Sequence, residues 1–314
     1  MTELTVSQEI ETLRRLASKY LWADERTRSL LEGSGVNLTR ADFYSESPTI
    51  AEINRSFEYD EAGAQLPVYD DPLIFDVDQM AAFAQSLSPF LTEFNPALGD
   101  DGSSRFFWKN DQFSYSDAAA LFALVVARRP KTIIEIGSGH STRLSSEALG
   151  VAGGGRIICI DPEPRAEITN LPGVEFIRRP VQSVPPSFFR DTVVPGDFVF
   201  YDGSHTIKSG SDTVFFYLNI LPYLPAGTLV HAHDVSLPFA APKANLTLSR
   251  MNWGEQYILM AHLHNRARYK VLLANALLRK QRPEALQNLM NGKFEPGGQS
   301  LWYEVIGDHP IASA

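Results

Sequence analysis

A chain of 314 residues, 44% hydrophobic and 21% charged, has the composition of a folded globular protein with room for one large domain or two modest ones. Its net charge of −9 argues against a nucleic-acid or acidic-membrane surface. No Lys/Arg cluster stands out beyond short pairs such as Arg128 with Arg129 and Arg178 with Arg179.

One cysteine, Cys159, precludes an internal disulfide and suits a reducing compartment; inside the apolar run RIICI it reads as a buried strand thiol. The opening MTELTVSQEIETLRR lacks the basic start and apolar run of a secretory signal, and nowhere do eighteen apolar residues run together. The expected location is cytoplasmic, with neither membrane nor nucleic acid as partner.

Residues 5–31 carry Ile10, Leu13, Leu16, Leu21 and Leu30 among charges, which predicts one amphipathic helix, stopped by Gly33 and Gly35. Residues 36–72 are polar, acidic and turn-rich. A second helix is expected from residue 76 to about 94, followed by a linker, PALGDDGSS. These features predict a helical N-terminal portion, residues 1–104, open in role between lid, substrate wall and homo-oligomer contact. From Arg105 the rhythm becomes strand, glycine or proline, helix. The expected strands are KTIIEI, RIICID, VEFIR, DFVFYD, TLVHAHD, YKVLLAN and LWYEVI, with helices over 117–128 and 142–149. Short apolar runs with crossovers between them indicate a parallel sheet covered on both faces. The last two runs, joined by a charged segment (279–298) left unassigned, suit a late antiparallel pair. The expected fold is α/β: a Rossmann-like, seven-stranded, mostly parallel sheet with helices on both faces and the last strand antiparallel.

In such sheets ligands bind outside the carboxyl ends of the strands, where strand order reverses. The first such end reads Glu135, Gly137, Ser138, Gly139, within IIEIGSGHST. This nearly spells the dinucleotide fingerprint G-x-G-x-x-G, but Thr142 stands in the third glycine position. Glycines let backbone approach a ligand, although such a turn often needs them for steric reasons alone. Glu135 would repel a pyrophosphate yet could anchor a cationic amino-acid tail, directly or through water. Asp161, ending the next strand, is placed to accept ribose hydroxyls; its alternative role is to cap the turn DPEP. Together the pair fits a nucleoside bearing an amino acid in place of phosphates.

With those residues in view, EIGSGHST, CIDPEP, FVFYDGSH and GTLVHAHDV, in that order, resemble a class I S-adenosylmethionine-dependent methyltransferase. More narrowly, the chain is similar to the bacterial branch whose fourth strand ends in Asp-Gly-Ser-His and whose fifth ends in His-Asp. That branch includes sugar and natural-product O-methyltransferases. The resemblance covers about residues 105–306 and implies an S-adenosylmethionine-binding domain over 105–314. It implies Glu135, Gly137, Ser138 and Gly139 around the methionine part, Asp161 at the ribose, Val181 and Gln182 beside the adenine, and Asp202 also in cofactor contact. The segment FFWKNDQFSYSDA matches one that folds over the cofactor, making Asn110, Phe113 and Asp117 candidates, the last two with core or cap roles as alternatives.

For the acceptor, the resemblance implies Asp202, His205 and Asp234 as catalytic residues. His205 is the expected base, because an imidazole titrates near neutral pH. Asp202, His233 and Asp234 are also the expected ligands of a divalent metal ion, if one is used. Here the sequence departs from its relatives, several of which carry Glu at the place of His233; imidazole suits Zn, Fe or Ni better than Mg. Either the metal differs or His233 contacts substrate. His231 reads as a core residue. In that branch a loop like 236–252 borders the acceptor pocket, which makes Trp253, Glu255 and Tyr257 expected pocket residues, with packing as the alternative for Tyr257. The expected activity is O-methylation of a small hydroxylated acceptor, a sugar or secondary metabolite. Two alternatives stand beside it: an NAD(P)-dependent oxidoreductase, against which Thr142 and Glu135 count, and a non-catalytic cofactor-binding module.

Overall fold

The computed structural model describes residues 5–113, 115–164, 168 and 171–307. It divides into two compact units, residues 1–56 and 57–314. The first holds α1 (Val6–Tyr20), α2 (Glu25–Gly33) and α3 (Ile50–Asn54). The single helix expected over 5–31 is two, because Asp24 offers its carboxylate to the Thr27 amide (3.0 Å) and so caps a new helix. Thr5 and Thr49 begin the other two with capping boxes to Gln8 and Glu52. On α1 the apolar residues Ile10, Leu13 and Leu16 remain exposed.

The second unit opens with α4 (Val77–Leu87), whose end tightens at Pro89 into a short 3₁₀ turn over Ser88–Leu91, earlier than the expected stop near residue 94. It continues through α5 (Tyr115–Arg128), β1 (Thr132–Ile136), α6 (His140–Ala152), β2 (Arg156–Ile160), β3 (Val174–Ile177), α7 (Pro186–Thr192), β4 (Phe198–Tyr201) and α8 (Asp212–Phe215). Then come β5 (Leu229–Ala232), α9 (Lys243–Thr247), α10 (Glu255–Leu263), β6 (Tyr269–Ala274), α11 (Asn275–Gln281), α12 (Pro283–Leu289) and β7 (Leu301–Val305). All seven expected strands are present. The unassigned segment 279–298 contains α12, which Pro283 starts at its first position.

The division at residue 56 differs from the expected boundary at 104. The physical reason is apolar: Phe75, Met80, Ala84, Leu87 and Leu91 join one continuous core with the strands, and α4 packs on α5, α12 and β6. No helix among the described residues is long and apolar enough to cross a membrane.

The strands form one sheet in the order β3-β2-β1-β4-β5-β7-β6. Six share one direction; β7 alone runs against them, inserted between β5 and β6. β1, β4 and β5 are buried along their length, as strands covered on both faces by helices should be. Strand order reverses between β1 and β4, and this opens a crevice at their carboxyl ends. Gly137 stands at that crevice. Its amide donates to Ile160 O (3.1 Å), while Ile136 O accepts from the Asp202 amide (2.9 Å), so the turn is stitched to both neighbours.

Gly137 also has φ of +81°, and a Cβ there would overlap the carbonyl oxygen of Asp202. Gly137→Ala therefore combines a left-handed conformation with a backbone clash and is expected to cost at least about 3 kcal/mol. Urea denaturation checks this; a loss below about 1 kcal/mol would mean the turn relaxes freely.

Candidate active site

A cavity of about 800 Å³ fills the crevice between the β1 and β4 tips. One half is lined by the glycine turn, the start of α6, Asp161, Val181 and Gln182; the other by Asp202, His205, His233, Asp234 and Trp253.

In the first half, Thr142 explains its own presence. Its hydroxyl accepts the Gly139 amide (3.0 Å), so the residue in the third glycine position caps the helix that begins beside the cavity. Asp161 is held on the wall: Oδ2 accepts from Ser138 Oγ (2.7 Å) and Oδ1 from the Glu163 amide (2.8 Å). Carboxylate lone pairs remain on both oxygens for further donors. Gln182 Nε2 donates to Gly210 O (2.9 Å), and Val181 beside it is buried.

Two expected cofactor residues do not line the cavity. Glu135 lies fully buried behind the wall, accepting from the Ser141 hydroxyl and lying 3.7 Å from Cys159 Sγ. Burial pushes its carboxyl up to about 7 against the opposing hydrogen bonds of Ser141 and Thr142. Asn110 spends its side chain inside its own loop. Nδ2 donates to Phe107 O (2.7 Å) and Phe113 O (2.6 Å), and Oδ1 accepts from the Gln112 (3.1 Å) and Phe113 (2.7 Å) amides. It thereby shapes the loop that presents Asp111, Gln112 and Phe113 to the cavity.

The second half is a row of alternating acids and imidazoles. His205 Nδ1 lies 2.6 Å from Glu255 Oε2, and Glu255 Oε1 accepts from the Tyr217 hydroxyl (2.7 Å). Its Nε2 stands 3.4 Å from Asp202 Oδ1 and 3.6 Å from Asp234 Oδ2. His233 Nδ1 stands 3.5 Å from Asp202 Oδ2 and 3.8 Å from Asp234 Oδ2, while Nε2 is 3.5 Å from Asp117 Oδ2. Asp117 is anchored in turn by Asn275 Nδ2 (2.7 Å) and the amides of Gln299 and Ser300 (2.9 Å each).

Burial opposes charge on His205, but its bonds to Asp202 and Glu255 prevail and push the imidazole up to about 10. Its acidic neighbours thus favour the protonated ring more than in a free imidazole. Burial likewise works against Asp202, yet His233 and His205 hold it well below the usual carboxylate range. Asp234 is raised, chiefly by burial.

His231 is a core residue. Nε2 pairs with Ser300 Oγ (2.7 Å), the ring stacks on Phe200 at 3.9 Å, and burial pushes it well below its ordinary pKa. Tyr257 is not on the cavity wall; its hydroxyl donates to Glu58 Oε1 (2.9 Å). Trp253 packs 4.6 Å from the His205 ring. The sequence reading missed the pairing of Glu255 with His205 and of Asp117 with His233. The only signal was an acid at the start of each of two largely apolar helices, α10 and α5.

Residues 134–235 match the family model of a methyltransferase domain. That segment runs from within β1 to just past Asp234, so it spans both halves of the cavity. An uncharacterized protein of Archaeoglobus fulgidus is 28% identical over 157 residues, 47% of this chain and 70% of the relative. Among solved structures, the O-methyltransferase TomG of Streptomyces achromogenes, in complex with S-adenosylmethionine, is 18% identical, with 75% of this chain and 92% of that one covered and a TM-score of 0.37. An O-methyltransferase of Bacillus cereus in complex with S-adenosylhomocysteine is 15% identical, covering 74% and 94%, with a TM-score of 0.38. Likeness at that level assigns no substrate.

Glu135 yields a pH prediction. Its ordinary value is 4.5 and its folded value about 7, so between them the folded state holds a proton the unfolded chain has lost. Stability from this group therefore falls as pH rises through that window and stays low above it. From pH 5 to pH 8 the wild type should lose about 2 kcal/mol more than Glu135→Gln, read from urea denaturation of both. Parallel losses in the two proteins would mean that Glu135 ionises freely.

Proposed function

We propose that the chain is an S-adenosylmethionine-dependent methyltransferase acting on a hydroxyl of a small acceptor, such as a sugar or secondary metabolite. One observation carries the reading. The cavity wall holds Asp111, Asp161, Glu163, Asp202, Asp212 and Asp234 and, among the described residues, no Lys or Arg. Such a wall suits a ligand with a sulfonium and an ammonium group and opposes a pyrophosphate. This is also the reason to prefer it to the NAD(P)-dependent alternative.

The residues present fit the cofactor. Asp161 accepts the ribose hydroxyls, the first-turn amides of α6 face the carboxylate of the tail, and Val181 with Gln182 flank the adenine. Glu135 acts from behind the wall through Ser141, and Asn110 through its loop. When bound, the cofactor supplies an electrophilic methyl group on sulfur.

The chain must then align an oxygen with that methyl and remove a proton. His205, held at Nδ1 by Glu255, faces the acceptor with Nε2 and orients its oxygen. With no metal ion bound, Asp234 Oδ2, 3.6 Å from Nε2 and raised by burial, takes the proton. Asp202, His233 and Asp234 would hold a divalent cation, which lowers the pKa of a nearby hydroxyl. The non-catalytic alternative leaves this row of buried charge without a use.

Calorimetry should show saturable, one-to-one binding of S-adenosylmethionine and none of NADH, with Asp161→Ala weakening the former at least tenfold. NADH binding in its place would sink the reading. On an acceptor found by screening sugars and other hydroxylated compounds, His205→Ala should lower kcat by about 10²- to 10⁴-fold with cofactor affinity within threefold of wild type. An unchanged rate would remove His205 from the chemistry.

A further inference from the structure

One nitrogen at the acceptor end is left over. His233 is 4% exposed, and its Nδ1 has no hydrogen-bond partner although it faces Asp202 and Asp234. At 3.5 and 3.8 Å from their oxygens, Nδ1 makes no hydrogen bond to either. These separations are close to the spacing of ligands that share one ion, since bonds of about 2.1 Å at tetrahedral angles place ligand atoms about 3.4 Å apart. One ligand atom from each of Asp202, His233 and Asp234 lies within 4.8 Å of the others. A buried nitrogen without a partner is costly unless something else meets its lone pair.

The far side of the ring carries a second, independent sign. Asp117 Oδ2 stands 3.5 Å from Nε2, and Asp117 cannot drift, since Asn275 and the Gln299 and Ser300 amides hold it. A carboxylate behind a histidine is the arrangement that fixes ring and tautomer in metal centres. The ring is hemmed in as well, by Phe113 at 5.1 Å and His231 at 5.7 Å between centroids.

We propose that Asp202, Asp234 and His233 through Nδ1 bind one divalent transition ion, of the zinc, cobalt or iron(II) class, in preference to magnesium, with Asp117 as the residue that positions His233. The inference rests on the metal reading of the acceptor end and not on the identity of the methyl donor. Magnesium demands near-octahedral oxygen ligands and keeps several waters, whereas an imidazole on two carboxylates suits the later first-row ions.

The test uses the full chain after chelator treatment, titrated separately with cobalt(II) chloride and magnesium chloride by calorimetry, with visible absorption recorded for cobalt. Wild type should bind one cobalt ion at least 100-fold more tightly than magnesium, with a ligand-field spectrum. His233→Glu should abolish that preference and change the spectrum, and Asp117→Asn should weaken cobalt about 10- to 100-fold. Because Asp117 also holds β7, thermal unfolding accompanies each variant and His233→Glu carries the decision. Magnesium binding as tight as cobalt in wild type, or an unaltered preference in His233→Glu, overturns the inference. S-adenosylmethionine titrated into the same samples separates the readings. Cofactor binding without the cobalt preference sinks the metal class alone, and the cobalt preference without cofactor binding sinks methyl transfer alone.

Discussion

At the tips of β4 and β5 two carboxylates face two imidazoles, and each imidazole has a further acid behind it. Isolated, any of these charges would be expensive to bury; in alternation they lower one another's cost, which is why Asp202 stays ionised despite its surroundings. The outer acids also serve the fold. Asp117 grips the backbone that leads into β7, and Glu255 takes the hydroxyl of Tyr217, so the row is braced from two sides. A shift of the segment before β7 would therefore act directly on Asp117, the acid beside His233.

The cavity inherits its character from this row and from the acids of the opposite half. Its wall carries six acids and, among the described residues, no Lys or Arg, and its glycine turn is shaped first by the neighbouring strand: Gly137 is required by the Asp202 carbonyl, whatever ligand arrives. Gly137, Ser138 and Gly139 all line the cavity, and Gly137 in addition lets the β1 and β4 tips approach.

Much of this was legible in the sequence, for a physical reason. Buried parallel strands are short apolar runs, and the chemistry of such a sheet sits at their ends, so FVFY and LVHA announced Asp202, His205, His233 and Asp234 together. Helix breaks were harder: Asp24 starts a new helix inside one amphipathic pattern, and Pro89 ends α4 early. The depth of a residue behind a wall has no local signature, so Glu135 and Asn110 read as ligand contacts although neither lines the cavity. Least legible were the pairs Asp117 with His233 and Glu255 with His205. They are made by packing between distant elements, and with them went the charge state of His205, which those acids decide.

The placement of β7 has a consequence for how the protein comes into being. Its residues leave the ribosome after every other strand, yet they belong between β5 and β6 and not at an edge. Until residue 305 has emerged, the nascent sheet has a gap, and Asp117 lacks the Gln299 and Ser300 amides that hold it against His233. The acid behind His233 thus takes its backbone anchors from a segment that comes late in the chain.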